Sequence, residues 1–458
     1  MTLMQTFVRH VGYRLYLAYQ GELGILSDYR ESLPLWTASR EVLAARKLAA
    51  LKAMLIHAGA TSPYYCDVFQ RADFDPNVVT SPSDLAVLPF ITKSDLNSGM
   101  PRILSSQFRR DELVESSTGG SSGLTLTFYR DNRTTEIKRA QDLLFSGKIG
   151  VYPGTKRAWV WGAPLDAWRQ QSFKSRIRNS LSERAIFFHS YEGSTASIEA
   201  FLHRLNKHKP EVILAYPNML AVLAEYARDH KFPLHPVPKV VVTAETVHDW
   251  QRELFSEVFG AVTYERYGAR EIGTLASEVN CHRGLHIFEP SYVIEVVDER
   301  GQAVVPGEMG ELVVTDLCNR AMPLIRYRTG DMVALDESLC GCGCTWHRIS
   351  RVGGRILDLV TRPDGSRVAG QVMLDVLRAV AMNYRVQISQ TAVNTFVIRH
   401  LETDTIDGDI RRRLLESFKA YLGAEVTLEY EKVKELTYDK SGKYRWFINE
   451  LNRRTSVN

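Results

Sequence analysis

The chain has 458 residues, of which 45% are hydrophobic and 24% charged, a composition typical of a folded protein with two or more domains. Its 57 basic and 53 acidic residues leave a net charge of +4, and no basic stripe with interleaved aromatic residues occurs, so we expect no nucleic-acid partner. No uninterrupted apolar run approaches the roughly 20 residues that span a bilayer. The first residues lack a signal-peptide layout. We therefore expect a cytoplasmic protein without a transmembrane segment.

Two segments near the start have helical character. Residues 7–27 are apolar with scattered charges, so they could lie on a membrane surface or a partner, but we expect them to pack on the body of the protein itself. Residues 39–58 have apolar positions near helical spacing, and Ser39 stands where a helix N-cap is needed. This second segment predicts an amphipathic helix.

A cluster of glycine and hydroxyl residues precedes a strand-like alternating run that ends at Phe128. Glycines let backbone N–H groups converge, and hydroxyls add donors, so the pattern indicates a phosphate-binding loop between two strands. A plain surface loop is the alternative. The P-loop pattern fails because Leu124 stands where lysine is required, and the dinucleotide pattern G-x-G-x-x-G is absent. The cluster comprises Ser117, Thr118, Gly119, Gly120, Ser121, Ser122 and Gly123.

Strand and helix patterns alternate from about residue 150 to 275, which indicates an α/β domain with a largely parallel sheet. Such folds place their chemistry at strand ends. Three polar stretches stand at predicted strand ends: Tyr216-Pro217-Asn218, Thr243-Ala244-Glu245 and Tyr267-Gly268-Ala269-Arg270-Glu271.

The pattern becomes β-rich from 292 to 335, and a smaller unit follows residue 354. In this unit we expect a hairpin over 356–368, and further helices and strands. The predicted helices lie at about 370–382 and 408–422, and the predicted strands at about 392–398 and 425–433. The predicted domains are therefore residues 1–353 and 354–458.

Five stretches occur in a fixed order: T-G-G-S-S-G (118–123), Y-G-A-R-E (267–271), Y-R-T-G-D (327–331), R-V-G-G-R (351–355) and S-G-K-Y-R (441–445). In this order the chain resembles the adenylate-forming superfamily of acyl-CoA synthetases, peptide-synthetase adenylation domains and luciferases. It is most similar to the phenylacetate–CoA ligase branch and its CapK-like group. The resemblance covers about residues 40 to 450 and includes P-Y-Y (63–65), L-P-F-I-T-K-S-D-L (88–96), A-Y-P-N-M-L (215–220) and T-A-E-T (243–246).

The resemblance implies an α/β fold with a large N-terminal domain of mainly parallel sheets plus a β-rich subdomain, and a small mobile α+β C-terminal domain. It implies an enzyme that uses ATP and Mg²⁺ to adenylate a small, aromatic carboxylic acid with release of pyrophosphate. The acyl group then passes to a thiol, amine or alcohol, with coenzyme A among the candidates. AMP transfer to a hydroxyl group and a non-catalytic role in polysaccharide assembly are the alternatives. A homodimer is compatible with this interpretation.

The resemblance also implies residue roles. Residues 118–123 would hold the β- and γ-phosphates, and Glu271 would ligate Mg²⁺, a cation that prefers oxygen ligands. Asp331 would bind the ribose hydroxyls, Arg355 would assist at the ribose or phosphate, and Lys443 would bridge the carboxylate and the α-phosphate. Further nucleotide contacts would come from Ser117, Glu245, Tyr267, Gly268, Ala269 and Arg270. The acid pocket would include Tyr216, Pro217, Ala244 and Tyr264.

Two departures from the family pattern concern the acceptor. Leu124-Thr125 follow the last loop glycine where the family usually has proline, and the segment 354–358 reads G-R-I-L-D with one acidic position lost. Coenzyme A ligases use this region for thioester formation. An amine or alcohol acceptor therefore stays open beside coenzyme A.

The cysteines are unevenly placed, and in a cytosolic protein such spacing suggests metal more than disulfides. Cys281 and His286, with Cys340 and Cys342, would form a Cys₃His set suited to tetrahedral Zn²⁺. Related proteins of the branch carry a similar arrangement, which implies a structural site. His282 and Cys344 are reserve ligands, and a set of reduced cysteines is the alternative.

Overall fold

A computed structural model describes residues 3–117, 126–161, 179, 184–189, 195–355, 359–363, 367–369, 386–402, 406–422, 425–436 and 447–451. The chain divides into two compact units. The first comprises Met1–Thr329 and Val333–Val352, and the second comprises Gly330–Met332 and Gly353–Asn458. Within the described ranges, no helix combines the length and apolarity needed to cross a bilayer.

The first unit begins with helices. They are α1 (Leu3–Phe7), which continues through a π-helical turn (Val8–Gly12) into α2 (Tyr13–Gln20), then α3 (Gly24–Ser32), α4 (Arg40–Thr61), α5 (Pro63–Arg71) and α6 (Lys93–Ile103). The predicted cap at Ser39 is confirmed, because its hydroxyl accepts a hydrogen bond from the Val42 N–H at 3.4 Å. The cap at Ser39 and the apolar spacing after it therefore define the start of α4, as the sequence predicts.

A hairpin follows, formed by β1 (Val114–Ser117) and β2 (Thr127–Arg130), which pair antiparallel. This pairing confirms the two strands predicted on either side of the glycine-rich stretch. Helix α7 (Asn132–Lys148) comes next, with Asp131 as its N-cap.

The centre of the first unit is a parallel sheet with connecting helices, as predicted. Its strands are β3 (Arg157–Trp161), β4 (Ala185–His189), β5 (Val212–Ala215), β6 (Lys239–Thr243) and β7 (Val262–Ala269). They run parallel in the order β4-β3-β5-β6-β7. The helices between them are α8 (Thr195–His208), α9 (Pro217–Asp229) and α10 (Asp249–Phe259). Strand β5 is buried along its whole length, as expected for a strand covered on both faces.

The β-rich region extends this same sheet. Its strands are β8 (Gly273–Ser277), β9 (Leu285–Ile287), β10 (Tyr292–Val297), β11 (Met309–Asp316), β12 (Tyr327–Asp336) and β13 (Arg348–Arg355). Strand β8 pairs antiparallel with β7. From there the strand order of the sheet continues as β7-β8-β9-β13-β12-β11-β10. The described residues thus form one sheet of eleven strands, in which the predicted parallel and β-rich parts are continuous.

The second unit has its own core. Its elements are β14 (Leu359–Thr361), β15 (Arg367–Ala369), β16 (Val386–Ala392), β17 (Thr395–Leu401), α11 (Gly408–Leu422), β18 (Thr427–Val433) and β19 (Phe447–Asn449). Four of these strands form a sheet in the order β18-β17-β16-β19. β14 and β15 form the predicted hairpin. The strand predicted at about 392–398 corresponds to β17, but its start was placed three residues too early, because a tight turn separates β16 from β17 there and Ala392 pairs with Thr395. The helix predicted at about 370–382 lies outside the described residues.

Candidate active site

The Y-G-A-R-E stretch lies where β7 ends and turns into β8. A bulge interrupts the pairing between Tyr267 and Gly268. A Cβ atom at Gly268 would clash with the carbonyl oxygen of Gly273, so only glycine allows the two strands to approach so closely. The turn therefore presents Arg270 and Glu271 at the end of the last parallel strand.

Glu271 is buried, and its carboxylate is held from two other parts of the chain. The Tyr327 hydroxyl donates a 2.7 Å hydrogen bond to Oε1 of Glu271, and Lys93 Nζ lies 3.9 Å from the same oxygen. Tyr327 begins the Y-R-T-G-D stretch, and Lys93 begins α6, which Thr92 caps. The carboxylate therefore has a hydroxyl donor and a nearby cation from two other parts of the chain.

A buried network lies against the same turn. Lys138 Nζ in α7 donates to the Tyr292 hydroxyl and to Asp316 Oδ1, both at 2.9 Å. The Tyr292 hydroxyl in turn donates to the carbonyl of Ile272 at 2.6 Å. Burial alone would lower the pKa of Lys138, but the attraction of Asp316 holds that pKa above its usual value. A permanently charged lysine therefore orients the tyrosine that fixes the backbone next to Glu271.

Arg270 joins this turn to the base of the glycine-rich loop. Its Nη1 atom donates to the Ser117 carbonyl at 3.1 Å, and its own carbonyl accepts a hydrogen bond from Arg130. Ser117 is the last residue of β1, and Arg130 is the last residue of β2. Both stems of the loop hairpin thus contact Arg270. The predicted loop residues from Thr118 to Gly123 lie outside the described residues.

The ends of β5 and β6 meet through a second polar contact. Glu245 Oε2 accepts a 3.2 Å hydrogen bond from the backbone N–H of Asn218, in the first turn of α9. Ala244 has φ +71°, a left-handed conformation that is uncommon for a non-glycine residue and strained by its Cβ atom. The T-A-E and Y-P-N stretches therefore form one strand-end cluster, as their positions predict.

The predicted acid-pocket residues do not all lie together. Tyr216 is 3% exposed and packs with its ring centroid 4.4 Å from that of Trp161. Tyr264 belongs to the core cluster on the other face of the sheet, where its hydroxyl donates to Asn280 Oδ1 at 2.8 Å. Pro217 and Ala244 lie on the side of Tyr216. Because side chains alternate between the faces of a strand, Tyr264 is separated from the other three.

Of the remaining predicted residues, Asp331 lies in β12 and Arg355 is the last residue of β13. Lys443 lies outside the described residues.

The sequence alone did not single out Lys93, Lys138 or Tyr292 as site residues. The only signal for Lys93 was its place in the L-P-F-I-T-K-S-D-L match, and nothing local marks the other two.

The cysteine and histidine residues form a cluster beside the sheet. The ligand atoms of Cys281, His286, Cys340 and Cys342 all lie within 4.8 Å of one another. The sulfur atoms of Cys281 and Cys340 are 3.4 Å apart, as are Cys342 Sγ and His286 Nε2. Strand β9 pairs with β13, which sets Arg348 opposite His286. This pairing brings Cys281 and His286 close to Cys340 and Cys342.

This donor set fits zinc. Zn–S bonds of about 2.3 Å in a tetrahedron put neighbouring ligands about 3.8 Å apart, close to the spacings here. Burial, aided by Arg348, lowers the pKa of His286 to about 4, so the ring is neutral and able to ligate. The reserve residue His282 instead contacts Glu278 Oε1 at 3.0 Å, and Cys344 is not part of the cluster.

Comparison with known proteins links this architecture to characterised families. Residues 360–450 match the CapK C-terminal domain family. The chain is 24% identical over 394 residues to protein CapK of Staphylococcus aureus, covering 85% of each chain. It is 28% identical over 355 residues to a phenylacetate-coenzyme A ligase of Thermus thermophilus, covering 75% of this chain and 74% of that one. These similarities confirm the resemblance predicted from the five stretches.

A solved structure shows the same fold. A 2-hydroxyisobutyryl-CoA ligase in the postadenylation state, in complex with 2-HIB-AMP, superimposes with a TM-score of 0.72 at 19% identity. The match covers 92% of this chain and 94% of that chain. The predicted α/β fold class is therefore confirmed, with a large sheet and a separate small C-terminal sheet.

Proposed function

We propose that this chain, a homologue of CapK and of the phenylacetate-coenzyme A ligases with the fold of adenylate-forming ligases, activates a small carboxylic acid with ATP. The carboxylate attacks the α-phosphorus, the bond to the pyrophosphate oxygen breaks, and an acyl adenylate and pyrophosphate result. A thiol, amine or alcohol then displaces AMP from the acyl carbon. The proposed acid is aromatic, and coenzyme A is one of the candidate acceptors.

The observation that carries this proposal is the meeting of three distant sequence stretches at one turn. Glu271 is bonded to Tyr327 of Y-R-T-G-D, and the neighbouring Arg270 is bonded to Ser117 at the base of the glycine-rich loop. An acidic group beside the stems of a loop whose sequence is rich in glycine and hydroxyl residues suits a polyphosphate with its cation. Short motifs that match by chance have no reason to converge in this way.

Each group has a proposed role in the phosphoryl chemistry, which depends on positioning and charge neutralisation. Glu271 would hold Mg²⁺, which neutralises phosphate charge when bound. The loop hairpin would hold the β- and γ-phosphates, and Arg270 would keep that hairpin against the turn. By the same resemblance, Asp331 binds the ribose, Arg355 assists at the ribose or phosphate, and Lys443 stabilises charge that develops on the α-phosphate.

The acid would bind near the ends of β5 and β6. Tyr216 supplies a rigid aromatic wall next to Trp161, and the left-handed Ala244 brings the strand-end backbone into the same region. Pro217 starts α9 beside them. Tyr264 lies on the other face of the sheet, so we omit it from the proposed pocket.

We also propose that Cys281, His286, Cys340 and Cys342 hold a structural zinc ion. Four protein ligands leave no open position for a water or substrate, which distinguishes a structural site from a catalytic one. Cys281 follows β8 and the other two cysteines follow β12. Zinc would therefore link the segment after Glu271 to the hairpin after Asp331.

Exchange of labelled pyrophosphate into ATP tests the activity. We expect exchange that depends on one acid or class of acids from a panel of aromatic, aliphatic and amino acids. ATP binding without exchange for any acid would contradict acid activation and favour AMP transfer to a hydroxyl group. A chain that does not bind ATP would instead favour a non-catalytic role.

A further inference from the structure

The N-terminal helical segment, residues 3–20, has two apolar faces. One face packs inside the first unit, where Tyr16 and Leu17 contact Ile25 of α3 and Ala140 of α7. The other face points to solvent and bears five large apolar side chains that are between 43% and 73% exposed. We call this row the apolar ridge; it consists of Met4, Phe7, Val11, Leu15 and Tyr19. The expectation that this segment simply packs on the protein is therefore correct for only one of its faces.

The ridge is regular. Its members follow one another at intervals of three or four residues, the spacing that places side chains on one helix face. With a rise of 1.5 Å per residue, the row from Met4 to Tyr19 extends for about 22 Å. Ordinary protein surfaces carry exposed apolar residues singly and scattered. A contiguous row of five exposed apolar side chains instead indicates a binding surface.

Charge near the ridge is positive. Residues 1–20 contain Arg9, His10 and Arg14 and no acidic residue, and both His10 and Arg14 are exposed. The next acidic residues in the sequence, Glu22 and Asp28, form ion pairs with Arg139 and Arg133 of α7. Because these two carboxylates are paired, the basic side chains of the segment itself favour an anionic partner.

We propose that the apolar ridge binds in the interface of a bilayer that contains anionic phospholipids, with the helix parallel to the membrane plane. An apolar row flanked by basic side chains is the pattern of an interfacial helix. The aromatic rings of Phe7 and Tyr19 stand near its two ends, and such rings favour the headgroup region. The helix would bind on the membrane and not across it. This inference does not depend on the proposed reaction.

Co-sedimentation of the full chain with vesicles tests the proposal. We expect at least tenfold stronger partitioning onto phosphatidylcholine vesicles with one quarter phosphatidylglycerol than onto pure phosphatidylcholine, and weaker binding at about 1 M salt than at about 0.1 M. Leu15→Glu should reduce partitioning at least tenfold, and Arg14→Glu should remove the preference for anionic vesicles. Val42→Glu is the matched control, because Val42 is a 55% exposed apolar residue on a different helix, α4.

Equal melting temperatures and equal far-UV circular dichroism spectra in the wild type and the variants establish that only the surface has changed. A wild type that stays in the supernatant with both kinds of vesicle overturns the proposal. So does binding that Leu15→Glu and Val42→Glu affect equally. A dimer in solution that Leu15→Glu dissociates, without vesicle binding by the wild type, would assign the ridge to a second copy of the chain.

Discussion

The hydroxyl of Tyr327 donates a 2.7 Å hydrogen bond to Glu271, across 56 residues of sequence. This bond joins the start of β12 to the turn after β7, so each of the two stretches helps to position the other. The proposed magnesium ligand is therefore a buried carboxylate with a fixed orientation, and it lies 3.9 Å from a lysine of a third element, α6. Preorganised charge of this kind is effective in phosphoryl chemistry.

Removing the charge of Glu271 should weaken the use of Mg·ATP. We expect Glu271→Gln to raise the Mg²⁺ concentration for half-maximal pyrophosphate exchange by about tenfold or more, because an amide is a poorer ligand for a hard cation. Glu308→Gln, at an exposed carboxylate, is the control. Tyr327→Phe should give a smaller shift in the same direction. Unchanged magnesium dependence in Glu271→Gln would show that this residue is not a ligand.

Lys443 should act in only one half-reaction. We expect Lys443→Ala to reduce acyl-adenylate formation by about 100-fold or more while sparing acyl transfer from a supplied adenylate, since its proposed charge stabilisation serves the attack on the α-phosphate. Rapid-quench measurement of both half-reactions separates the two. Lys440→Ala, three residues away and immediately before the S-G-K-Y-R stretch, is the matched control. An equal loss in both half-reactions would refute the assigned role.

The buried network around Lys138 should have two separable roles, one in stability and one in positioning the turn next to Glu271, and two variants test them. Lys138→Met leaves the buried Asp316 carboxylate without its cationic partner, which should destabilise the folded protein by about 3–5 kcal/mol. Tyr292→Phe keeps the ion pair but removes the hydrogen bond to the Ile272 carbonyl. We expect this second variant to melt close to the wild type yet require more Mg²⁺ for exchange. If Tyr292→Phe had the magnesium dependence of the wild type, the network would stabilise the fold without positioning Glu271.

The zinc assignment can be tested on the purified protein. We expect one zinc per chain by elemental analysis, and we expect Cys340→Ser to lose the metal and to melt at a lower temperature, because a structural zinc site contributes directly to folding. Cys66→Ser, at an exposed cysteine outside the cluster, should change neither quantity. Zinc content that Cys340→Ser leaves intact would contradict the site.

Glu289 should contribute to the acid sensitivity of the fold. Burial opposes its ionisation, but hydrogen bonds from His347 and the charge of Lys47 hold its pKa at about 2. A folded-state pKa below the ordinary value of 4.5 gives stability that is present above pH 4.5 and lost as the pH falls towards 2. The shift corresponds to about 3 kcal/mol at neutral pH.

Melting temperatures measured between pH 3 and pH 7 test this linkage. We expect Glu289→Gln to melt well below the wild type at pH 7, with a difference that narrows towards pH 3. Glu308→Gln should follow the wild type throughout. A constant difference between Glu289→Gln and the wild type across this range would exclude the linkage.

Much of the fold could be predicted because its signals are local. The hydroxyl at Ser39 and the apolar spacing after it define α4, and apolar runs separated by helical patterns define β5 and β6. The order of the five short stretches was sufficient for the family resemblance, since it needs only the linear sequence. The same local signals placed the start of β17 three residues too early, because a two-residue turn separates β17 from β16 there.

Only the tertiary structure decided which groups act together. Tyr327, Lys93 and Glu271 come from three elements, and the Lys138–Asp316 ion pair spans 178 residues, so no local pattern announces either contact. Strand alternation and sheet packing placed Tyr264 and Tyr216 on opposite faces. The sequence alone determined most of the elements and the family resemblance, because propensities, caps and motifs are properties of neighbouring residues. The site and the exposed ridge depend on how the elements pack, which is a property of the whole fold.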